Sequence, residues 1–353
     1  TKGMMDAPKV IGIIKRSFKF GRVRHAQWML TRRCNYRCRG CNVWTDQEGI
    51  ELSTDEVKRG LDVLRDLGVL EIVFSGGDPL IRDDIGEILE RASRNFITTV
   101  YDNGSMAVEK MESLRNVDFV AISIDTLDQK KNDYLKGVPG AWKRAMNAVD
   151  ILKSEGIPVG VSPTISQQNL YEIIDFTKYF INRGIPVWYC FYWYDYPFEN
   201  RIFSIGKKSD EYEIADAEAL AEVYTTLIEM KKENSNIYIT NKTLTALRQL
   251  ALTGTRIWSC KALSNFLVVD HIGRVAGCHN REPVGSIFRL PELWNSPRFR
   301  ELRREYSKCA NCGYLCYIFY SVHDGLSGTI EILRDQWENA KIYVKEIKAK
   351  TSA

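Results

Sequence analysis

The sequence predicts an α/β protein, an open and partial (β/α)6 barrel with a small cysteine-bearing domain after it. From residue 26 to about 195, strand-like runs alternate with amphipathic helical stretches. This order favours a parallel sheet with right-handed crossovers, and the length of the region fits six strands. Five cysteines then lie between residues 256 and 325, beyond the alternating pattern. We therefore expect one barrel followed by a smaller domain.

Six runs make up the predicted sheet: Gln27–Leu30, Glu71–Phe74, Thr98–Tyr101, Phe119–Ile124, Val159–Thr164 and Val187–Trp193. The first connecting helix has the clearest boundaries, because Ser53 and Glu56 form a capping box and Gly68 stands at its C-terminal end. The carboxyl ends of the strands form the active face in barrels of this kind. We therefore expect the loop after the first strand on that face.

Helical patterns flank the barrel. Lys9–Arg24 has the pattern of a basic amphipathic helix, which would either dock on a membrane surface or, as apolar helix faces more often do, pack across the bottom of the barrel. One short strand is expected at Ile237–Thr240, and Glu331–Lys348 has the pattern of a final helix. The predicted regions are the N-terminal helix (1–25), the barrel (26–212), a helical linker (213–255), the second cysteine domain (256–325) and a C-terminal helix (326–353).

Composition excludes several classes of protein. The 353 residues carry a net charge of +4, which is too small to indicate nucleic-acid binding. No apolar run reaches the roughly 18 residues that span a bilayer, and basic residues interrupt the early apolar positions, so no signal peptide is predicted. Nine cysteines, an odd number in metal-like spacings, indicate a reducing compartment and metal ligation. We expect a cytoplasmic protein, with membrane-surface contact only if the N-terminal helix docks there.

The most informative motif is C-x3-C-x2-C, formed by Cys34, Cys38 and Cys41 directly after the first strand. Three thiolates bind three irons of a cubane cluster and leave the fourth iron without a protein ligand. An open metal position is typical of a reactive site, whereas structural metal sites are closed by protein ligands. The alternatives are a zinc knuckle or scattered core cysteines, but zinc spacings usually pair two C-x2-C units.

This motif resembles that of the radical S-adenosylmethionine (SAM) enzymes. The resemblance implies a catalytic 4Fe-4S cluster whose open iron is chelated by SAM, reductive cleavage of SAM to a 5′-deoxyadenosyl radical, and an external electron donor of the flavodoxin or ferredoxin type. Many members place an aromatic residue just before the third cysteine, against the adenine. Gly40 stands there in this chain, so the adenine contact is expected from elsewhere, in the region of Tyr36.

Polar residues at the ends of the next strands fit a SAM site. The run Ser75-Gly76-Gly77-Asp78-Pro79 resembles the GGEP loop that holds the amino group of SAM, with backbone groups left exposed by the two glycines and Asp78 in the Glu position. Asn103, in an Asn-Gly turn, resembles the family's T-N-G turn but equally fits a simple turn.

Later strands add further candidates. Ser123 and Asp125 share one side of the fourth strand and resemble the pattern that faces the ribose and carboxylate of SAM, although strand-end capping would place them similarly. Ser162 and the helical Arg144 are candidates for the carboxylate. On the aromatic sixth strand, Tyr192 and Asp195 are candidates for substrate contacts, while Cys190 fits a buried apolar position better than a ligand.

The remaining cysteines have the frame C-x12-G-x4-C followed by C-x2-C-x3-C. They are Cys260, Cys278, Cys309, Cys312 and Cys316. The frame resembles the auxiliary-cluster region called SPASM or, when shortened, twitch. A β-hairpin would bear the first two ligands, and one auxiliary 4Fe-4S cluster would use Cys260, Cys278, Cys309 and Cys312, with Cys316 either spare or replacing one of them. The alternative is a structural zinc site. His279 would either support this cluster or lie on the hairpin surface.

The sequence thus predicts an enzyme but leaves more than one class of substrate possible. The main hypothesis is hydrogen abstraction from an unactivated C–H bond of a small-molecule or lipid-like substrate, giving oxidation or bond formation. The first alternative is maturation of a ribosomally made peptide. The second is a non-catalytic iron–sulfur electron carrier, which the SAM-type loops oppose. With four histidines and no Ser-His-Asp or His-x-x-x-His pattern, hydrolase chemistry has no support. The oligomeric state is not predicted.

Overall fold

The computed structural model of the chain describes residues 7–17, 23–45, 49–192, 211–309, 313–325, 327–328, 330–332, 334–335 and 337. Its strands are β1 (His25–Thr31), β2 (Glu71–Gly76), β3 (Ile97–Asp102), β4 (Phe119–Ile122), β5 (Val159–Val161), β6 (Thr164–Ile165), β7 (Cys190–Phe191), β8 (Phe266–Val269), β9 (Arg274–Ala276) and β10 (Gly285–Ser286). Neighbouring strands from β1 to β5 are parallel, which confirms the predicted α/β class.

Helices cover this sheet: α1 (Ala7–Ser17), α2 (Thr54–Leu67), α3 (Ile85–Ser93), α4 (Met111–Leu114), α5 (Gln129–Lys136), α6 (Ala141–Ser154), α7 (Ile173–Asn182), α8 (Ala217–Lys231), α9 (Asn241–Thr253), α10 (Leu290–Leu293), α11 (Pro297–Lys308) and α12 (Leu315–Val322). The predicted capping box of α2 is present, since Ser53 N–H donates to Glu56 Oε2 at 2.9 Å. Gly68 ends the helix in the left-handed conformation, with φ of 101°. Apolar residues of the strands and of the inner helix faces form one core.

The sixth strand differs from the prediction. Val187 makes an isolated bridge between Val161 and Ile237, and only Cys190–Phe191 forms a strand, paired with β6 in a separate two-stranded sheet. Pro163 explains the break between β5 and β6, because proline has no N–H to donate to the ladder. Residues 193–210, including the predicted substrate contact Asp195, lie outside the described residues. The strand expected at Ile237–Thr240 is reduced to its bridge with Val187.

The C-terminal region joins the barrel through a strand pairing that the sequence pattern did not predict. β8 pairs in parallel with β1, and the sheet order is β10-β9-β8-β1-β2-β3-β4-β5. β8 and β9 form the expected antiparallel hairpin, with Gly273 at φ of 81° in its turn. The cysteine-bearing region therefore continues the same sheet on the opposite side of β1 from β2.

The N-terminal helix packs against the amino-terminal ends of the strands. Lys9 Nζ lies 2.6 Å from Asp118 Oδ2, just before β4, and an Arg16 guanidinium nitrogen donates to the carbonyl of Asn95, just before β3. These contacts support the capping interpretation. The described helix ends at Ser17, short of the predicted Arg24, and residues 18–22 are outside the described residues. Most of the predicted helix Glu331–Lys348 also lies outside them. Among described helices, none is long and apolar enough to cross a membrane.

Candidate active site

The cysteine loop follows β1 and is fastened to the end of α5. Arg37 N–H donates to the carbonyl of Lys136 at 3.3 Å, and Arg39 N–H donates to that of Leu135 at 3.0 Å. Gly137, the C-terminal cap of α5, stands so close that a β-carbon there would lie 2.2 Å from the Arg37 carbonyl oxygen. The loop conformation is therefore fixed by packing on a helix end, which favours a preformed ligand set.

The sulfur atoms of this loop have the surroundings of cluster ligands. Tyr36 N–H donates to Cys34 Sγ and Val43 N–H donates to Cys41 Sγ, both at 3.4 Å, and such hydrogen bonds to sulfur tune iron–sulfur clusters. Burial raises the pKa of the Cys34 and Cys41 thiols to about 12 and also raises the pKa of Cys38. A bound metal reverses this effect, because a coordinating thiol is deprotonated outright.

The three thiols are near enough to affect one another's pKa, since Cys38 raises that of both Cys34 and Cys41. Among the described residues, no three histidine, cysteine, aspartate or glutamate side chains converge as ligands of one metal ion would. The three cysteines lie on one short loop, as the ligands of a single cluster would.

The glycine loop after β2 packs directly on the start of the cysteine loop. A β-carbon on Gly77 would lie 2.1 Å from the Arg33 carbonyl oxygen, and one on Gly76 would lie 2.3 Å from that of Thr31. Gly77 N–H donates to the Thr31 carbonyl and Asp78 N–H to that of Arg33, both at 2.8 Å. These two N–H groups are therefore occupied, contrary to the expectation of exposed donors. The glycines allow close backbone approach.

Behind this loop lies a pair of buried carboxyl groups. Asp78 Oδ1 accepts from Leu80 N–H at 3.0 Å, and the side chain of Asp78 shares a hydrogen bond with that of Asp102. Burial raises the pKa of Asp78 to about 6 and also raises that of Asp102, with the Asp78 charge adding to the effect on Asp102. Asp102 lines the central cavity whereas Asp78 lies behind the lining. Sequence reasoning missed Asp102, although it precedes Asn103 at the end of β3.

Asn103 both forms an asparagine turn and contacts the cysteine loop. Its carbonyl oxygen accepts from Ser105 N–H at 2.9 Å, as expected of an asparagine turn. Its amide nitrogen donates to Asn35 Oδ1 at 2.9 Å and lies 3.9 Å from Cys34 Sγ. The turn thus orients a side chain of the cysteine loop.

Ser123 and Asp125 meet the same buried ammonium. Lys136 Nζ donates to Ser123 Oγ at 2.7 Å and lies 2.7 Å from Asp125 Oδ2, and all three line the cavity. Asp125 Oδ1 also accepts from Thr164 N–H at 2.9 Å. The sequence pattern missed Lys136, because a lysine in the last turn of a short helix normally reads as a solvated residue.

Two predicted carboxylate-binding residues lie behind the cavity lining. Arg144, on α6, donates from Nε to Tyr36 Oη at 3.1 Å, and its guanidinium stands over the Tyr36 ring at 5.5 Å. Ser162 Oγ lies 3.5 Å from Cys190 Sγ, which itself lies 3.8 Å from Tyr101 Oη. In this structure Arg144 positions Tyr36, which does line the cavity.

Two tyrosine rings occupy the space over Gly40. A β-carbon there would lie 3.1 Å from the Tyr212 ring and 3.3 Å from the Tyr192 ring, and the two rings lie 5.0 Å apart. Both line the cavity, and the buried Tyr212 hydroxyl has no hydrogen-bond partner among described residues. The aromatic surface missing from position 40 is therefore supplied from other elements, and Tyr212 was not foreseen.

The site opens into a cavity of about 1100 Å³. At one end the lining includes the three cysteines of the loop, and at the other it includes Leu70 and Ile97, which lie at the amino-terminal ends of β2 and β3, and Ile13 of α1. The cavity thus extends along the length of the barrel. The following predicted residues line it: Cys34, Tyr36, Cys38, Cys41, Ser75, Gly76, Gly77, Asn103, Ser123, Asp125, Tyr192 and Cys316.

A second group of thiols gathers beside the hairpin. Cys260 precedes β8, Cys278 follows β9, and Cys309 follows α11. Cys278 and Cys309 both raise the pKa of the Arg281 guanidinium, and Cys309 raises the pKa of the buried Cys260 thiol after burial itself. Cys312 lies outside the described residues. Three thiols beside an arginine fit the surroundings of a negatively charged iron–sulfur cluster.

Cys316 faces the central cavity, unlike the three thiols beside the hairpin. It lies on α12, lines the cavity, and its Sγ is 3.9 Å from Gln27 Oε1 on β1. His279 is buried rather than on the hairpin surface, so that alternative was wrong: Tyr317 Oη lies 2.5 Å from its Nδ1, and Met29 Sδ lies 3.2 Å from its Nε2. Burial lowers the pKa of His279 to about 3, so the ring is neutral.

Comparison with known proteins identifies the class. The model of the radical SAM superfamily matches residues 28–186, and that of an iron–sulfur cluster-binding domain, SPASM, matches residues 260–313. The chain is a radical SAM enzyme with a SPASM domain. It therefore uses SAM and a 4Fe-4S cluster, together with auxiliary iron–sulfur ligation in the SPASM domain.

Individual relatives span most of the chain. An AdoMet-dependent heme synthase of Nitratidesulfovibrio vulgaris is 27% identical over 81% of this chain and 84% of its own length. The subtilosin biosynthesis protein AlbA of Bacillus subtilis is 24% identical over 83% of this chain and 67% of its own length. In fold, the chain resembles Streptococcus suis SuiB bound to SAM, with a TM-score of 0.64, 19% identity, and coverage of 88% and 75% of the two chains.

Proposed function

We propose that this enzyme matures a ribosomally made peptide by abstracting hydrogen from one of its unactivated C–H bonds. The observation that carries the proposal is the cavity of about 1100 Å³, which is larger than the usual small-ligand pocket and continues past the SAM-type residues along the barrel. A peptide segment has room there beside SAM. The likeness to AlbA, a bacteriocin biosynthesis protein, over most of the chain supports the same substrate class.

The roles of individual residues follow from their places around the cavity. When bound, SAM and the catalytic cluster supply a hydrogen-abstracting radical, and the auxiliary cluster supplies an electron acceptor. Cys34, Cys38 and Cys41 would hold the catalytic cluster, while Tyr192 and Tyr212 would contact the adenine.

Polar groups at the strand ends would bind the remainder of SAM. Ser75, Gly76, Gly77 and the Asp78–Asp102 pair would surround its amino group, and Ser123 and Asp125 its ribose and carboxylate. Asp125 would act from a fixed position, because both of its oxygens already have partners. Arg144 would act through Tyr36, and Ser162 through Cys190.

The auxiliary cluster would use Cys260, Cys278, Cys309 and Cys312. The direction of Cys316 supports its being spare, because it lines the substrate cavity while the other described thiols gather around Arg281. A thiol that faces the cavity is placed to contact substrate.

A second candidate is an iron tetrapyrrole, in place of the small lipid-like substrate that the sequence favoured. The heme synthase of N. vulgaris matches 84% of its own length, and the aromatic rings of Tyr101, Trp188 and Tyr320 line the cavity. A flat apolar ring system packs well on such side chains.

One experiment separates the two candidates. The anaerobically reconstituted enzyme receives SAM, a low-potential electron donor and either a peptide encoded beside the gene, deuterated at carbon, or iron coproporphyrin III. We expect a mass change in the peptide and deuterium in 5′-deoxyadenosine, both lost in Cys34→Ala. An unchanged peptide together with conversion of the porphyrin would reject the peptide proposal and select the tetrapyrrole.

A further inference from the structure

Lys136 is a buried cation directly beneath the cysteine loop. It is 5% exposed, and its ammonium lies between Ser123 Oγ and Asp125 Oδ2 at 2.7 Å from each. The carbonyl of the same residue accepts from Arg37 N–H, and the following Gly137 presses on the Arg37 carbonyl. The position of the ammonium is therefore set by the same helix end that fixes the loop.

Lys136 lies close to the loop that bears the sulfur atoms. Its carbonyl accepts from Arg37 N–H at 3.3 Å, and Arg37 directly precedes Cys38. The side chain of Lys136 lines the same cavity as Cys34, Cys38 and Cys41. The buried ammonium and the three thiols therefore belong to the wall of one cavity.

The two arginines that flank Cys38 have other partners. The Arg37 guanidinium donates to the carbonyls of Cys34 and Tyr36 at 2.7 and 2.8 Å, and the Arg39 guanidinium stands over the Tyr134 ring at 4.2 Å. Lys136 differs from both in being buried and in facing the cavity. Charges interact more strongly there than at the surface, because the surroundings are less polarisable than water.

We infer that Lys136 is a positioning residue whose buried ammonium offsets the negative charge of the three thiolates and raises the reduction potential of the catalytic cluster. Net charge and solvent exposure are among the factors that set such potentials. An added electron increases the negative charge, so a fixed cation nearby favours the reduced form. The inference rests on the proposed assignment of Cys34, Cys38 and Cys41, and not on the identity of the substrate.

The test is a redox titration of the reconstituted full chain without substrate. The signal followed is the electron paramagnetic resonance of the reduced cluster that changes when SAM is added. Lys136→Met keeps the length of the side chain and removes the charge, and Lys136→Arg retains the charge. Lys131→Met is the matched control, since Lys131 lies on the same helix with its ammonium 2.5 Å from Glu172 in a more exposed position.

At a fixed potential we expect Lys136→Met to lower the ratio of reduced to oxidised cluster by about tenfold, which is about 59 mV for a one-electron couple. Lys136→Arg and Lys131→Met should keep the wild-type midpoint. An unchanged midpoint in Lys136→Met, even with weaker SAM binding, would overturn the inference.

The double variant Lys136→Met/Asp125→Asn removes both charges and leaves no buried carboxylate unpaired, so it also serves if the single variant fails to fold. The two opposite charges stand 2.7 Å apart, so removing the Asp125 charge as well should bring the midpoint back from that of Lys136→Met toward that of the wild type without reaching it. A midpoint at or above that of the wild type would contradict the inference. Since no substrate is added, failure of the peptide proposal leaves this result unaffected.

Discussion

The Tyr212 ring stands 3.1 Å from the point where a β-carbon on Gly40 would lie. Because position 40 has no side chain, the Tyr212 ring occupies the space above it. We expect Tyr212→Ala to weaken SAM binding by about tenfold, since loss of one base–aromatic stack costs roughly 1–3 kcal/mol. The measurement is SAM affinity of the reconstituted protein by equilibrium dialysis.

Two further variants sharpen this prediction. Tyr171→Ala removes a tyrosine that is 68% exposed and should leave SAM affinity unchanged. Gly40→Phe added to Tyr212→Ala should recover part of the lost affinity, because the new ring enters the space that the old one left. Equal affinity of Tyr212→Ala and wild type would place the adenine elsewhere.

SAM binding should depend on pH through the Asp78–Asp102 pair. The pKa of Asp78 is raised to about 6 by burial, so at pH 5 its carboxyl is mostly protonated, and the pKa of the neighbouring Asp102 is raised as well. As the pH rises through 6, Asp78 ionises, and the pair gains a negative charge that strengthens the hydrogen bond accepted from the amino group of SAM. Affinity should therefore rise between pH 5 and 7, as calorimetric titration would show.

The same pair has the opposite effect on stability. A carboxyl whose folded-state pKa lies above its unfolded value of 3.8 stabilises the fold fully below that value, and the contribution is lost as pH rises through the folded pKa. The wild type should therefore lose stability in urea between pH 4 and 6 relative to Asp78→Asn. If the two proteins show parallel pH profiles for both binding and unfolding, the pair does not titrate as described.

Metal analysis can test whether Cys316 is a ligand of the auxiliary cluster. In protein with Cys34, Cys38 and Cys41 all changed to Ala, about four irons per chain should remain if a second cubane is present. Adding Cys309→Ala should remove most of that iron, while adding Cys316→Ala should not. Cys190→Ala, which changes another cavity-facing thiol, is the control. Loss of iron with Cys316→Ala would make it a ligand, and zinc in place of iron would indicate a structural site.

Close backbone packing makes Gly77 sensitive to the smallest side chain. Gly77→Ala would place a β-carbon 2.1 Å from the Arg33 carbonyl oxygen and displace the start of the cysteine loop. Unfolding free energy should fall by several kcal/mol, as overpacking against fixed backbone allows no local relief. Gly12→Ala, in α1 with its nearest contact at 3.4 Å, should change stability little. Equal stability of both variants would show that the loops do not pack as described.

Spacing and local pattern were enough for the class, because they are properties of contiguous sequence. The motif of Cys34, Cys38 and Cys41, the glycine loop and the capping box of Ser53 and Glu56 each lie within a few residues. The parallel order of β1 to β5 also follows from alternation of strands and helices along the chain. The fifth predicted strand is divided at Pro163 into β5 and β6, and the sixth is reduced to Cys190–Phe191, because its pairing depends on the short β6 that this break leaves.

The sequence by itself determined the radical SAM and SPASM frame. The tertiary structure alone decided which distant residues meet: Tyr212 over Gly40, Asp102 against Asp78, Lys136 against Arg37, and β8 beside β1. The physical reason is that burial and charge pairing depend on contacts across many residues of chain. The sequence does not distinguish a buried lysine or aspartate from an exposed one. Only packing removes the side chain from water and gives it a partner.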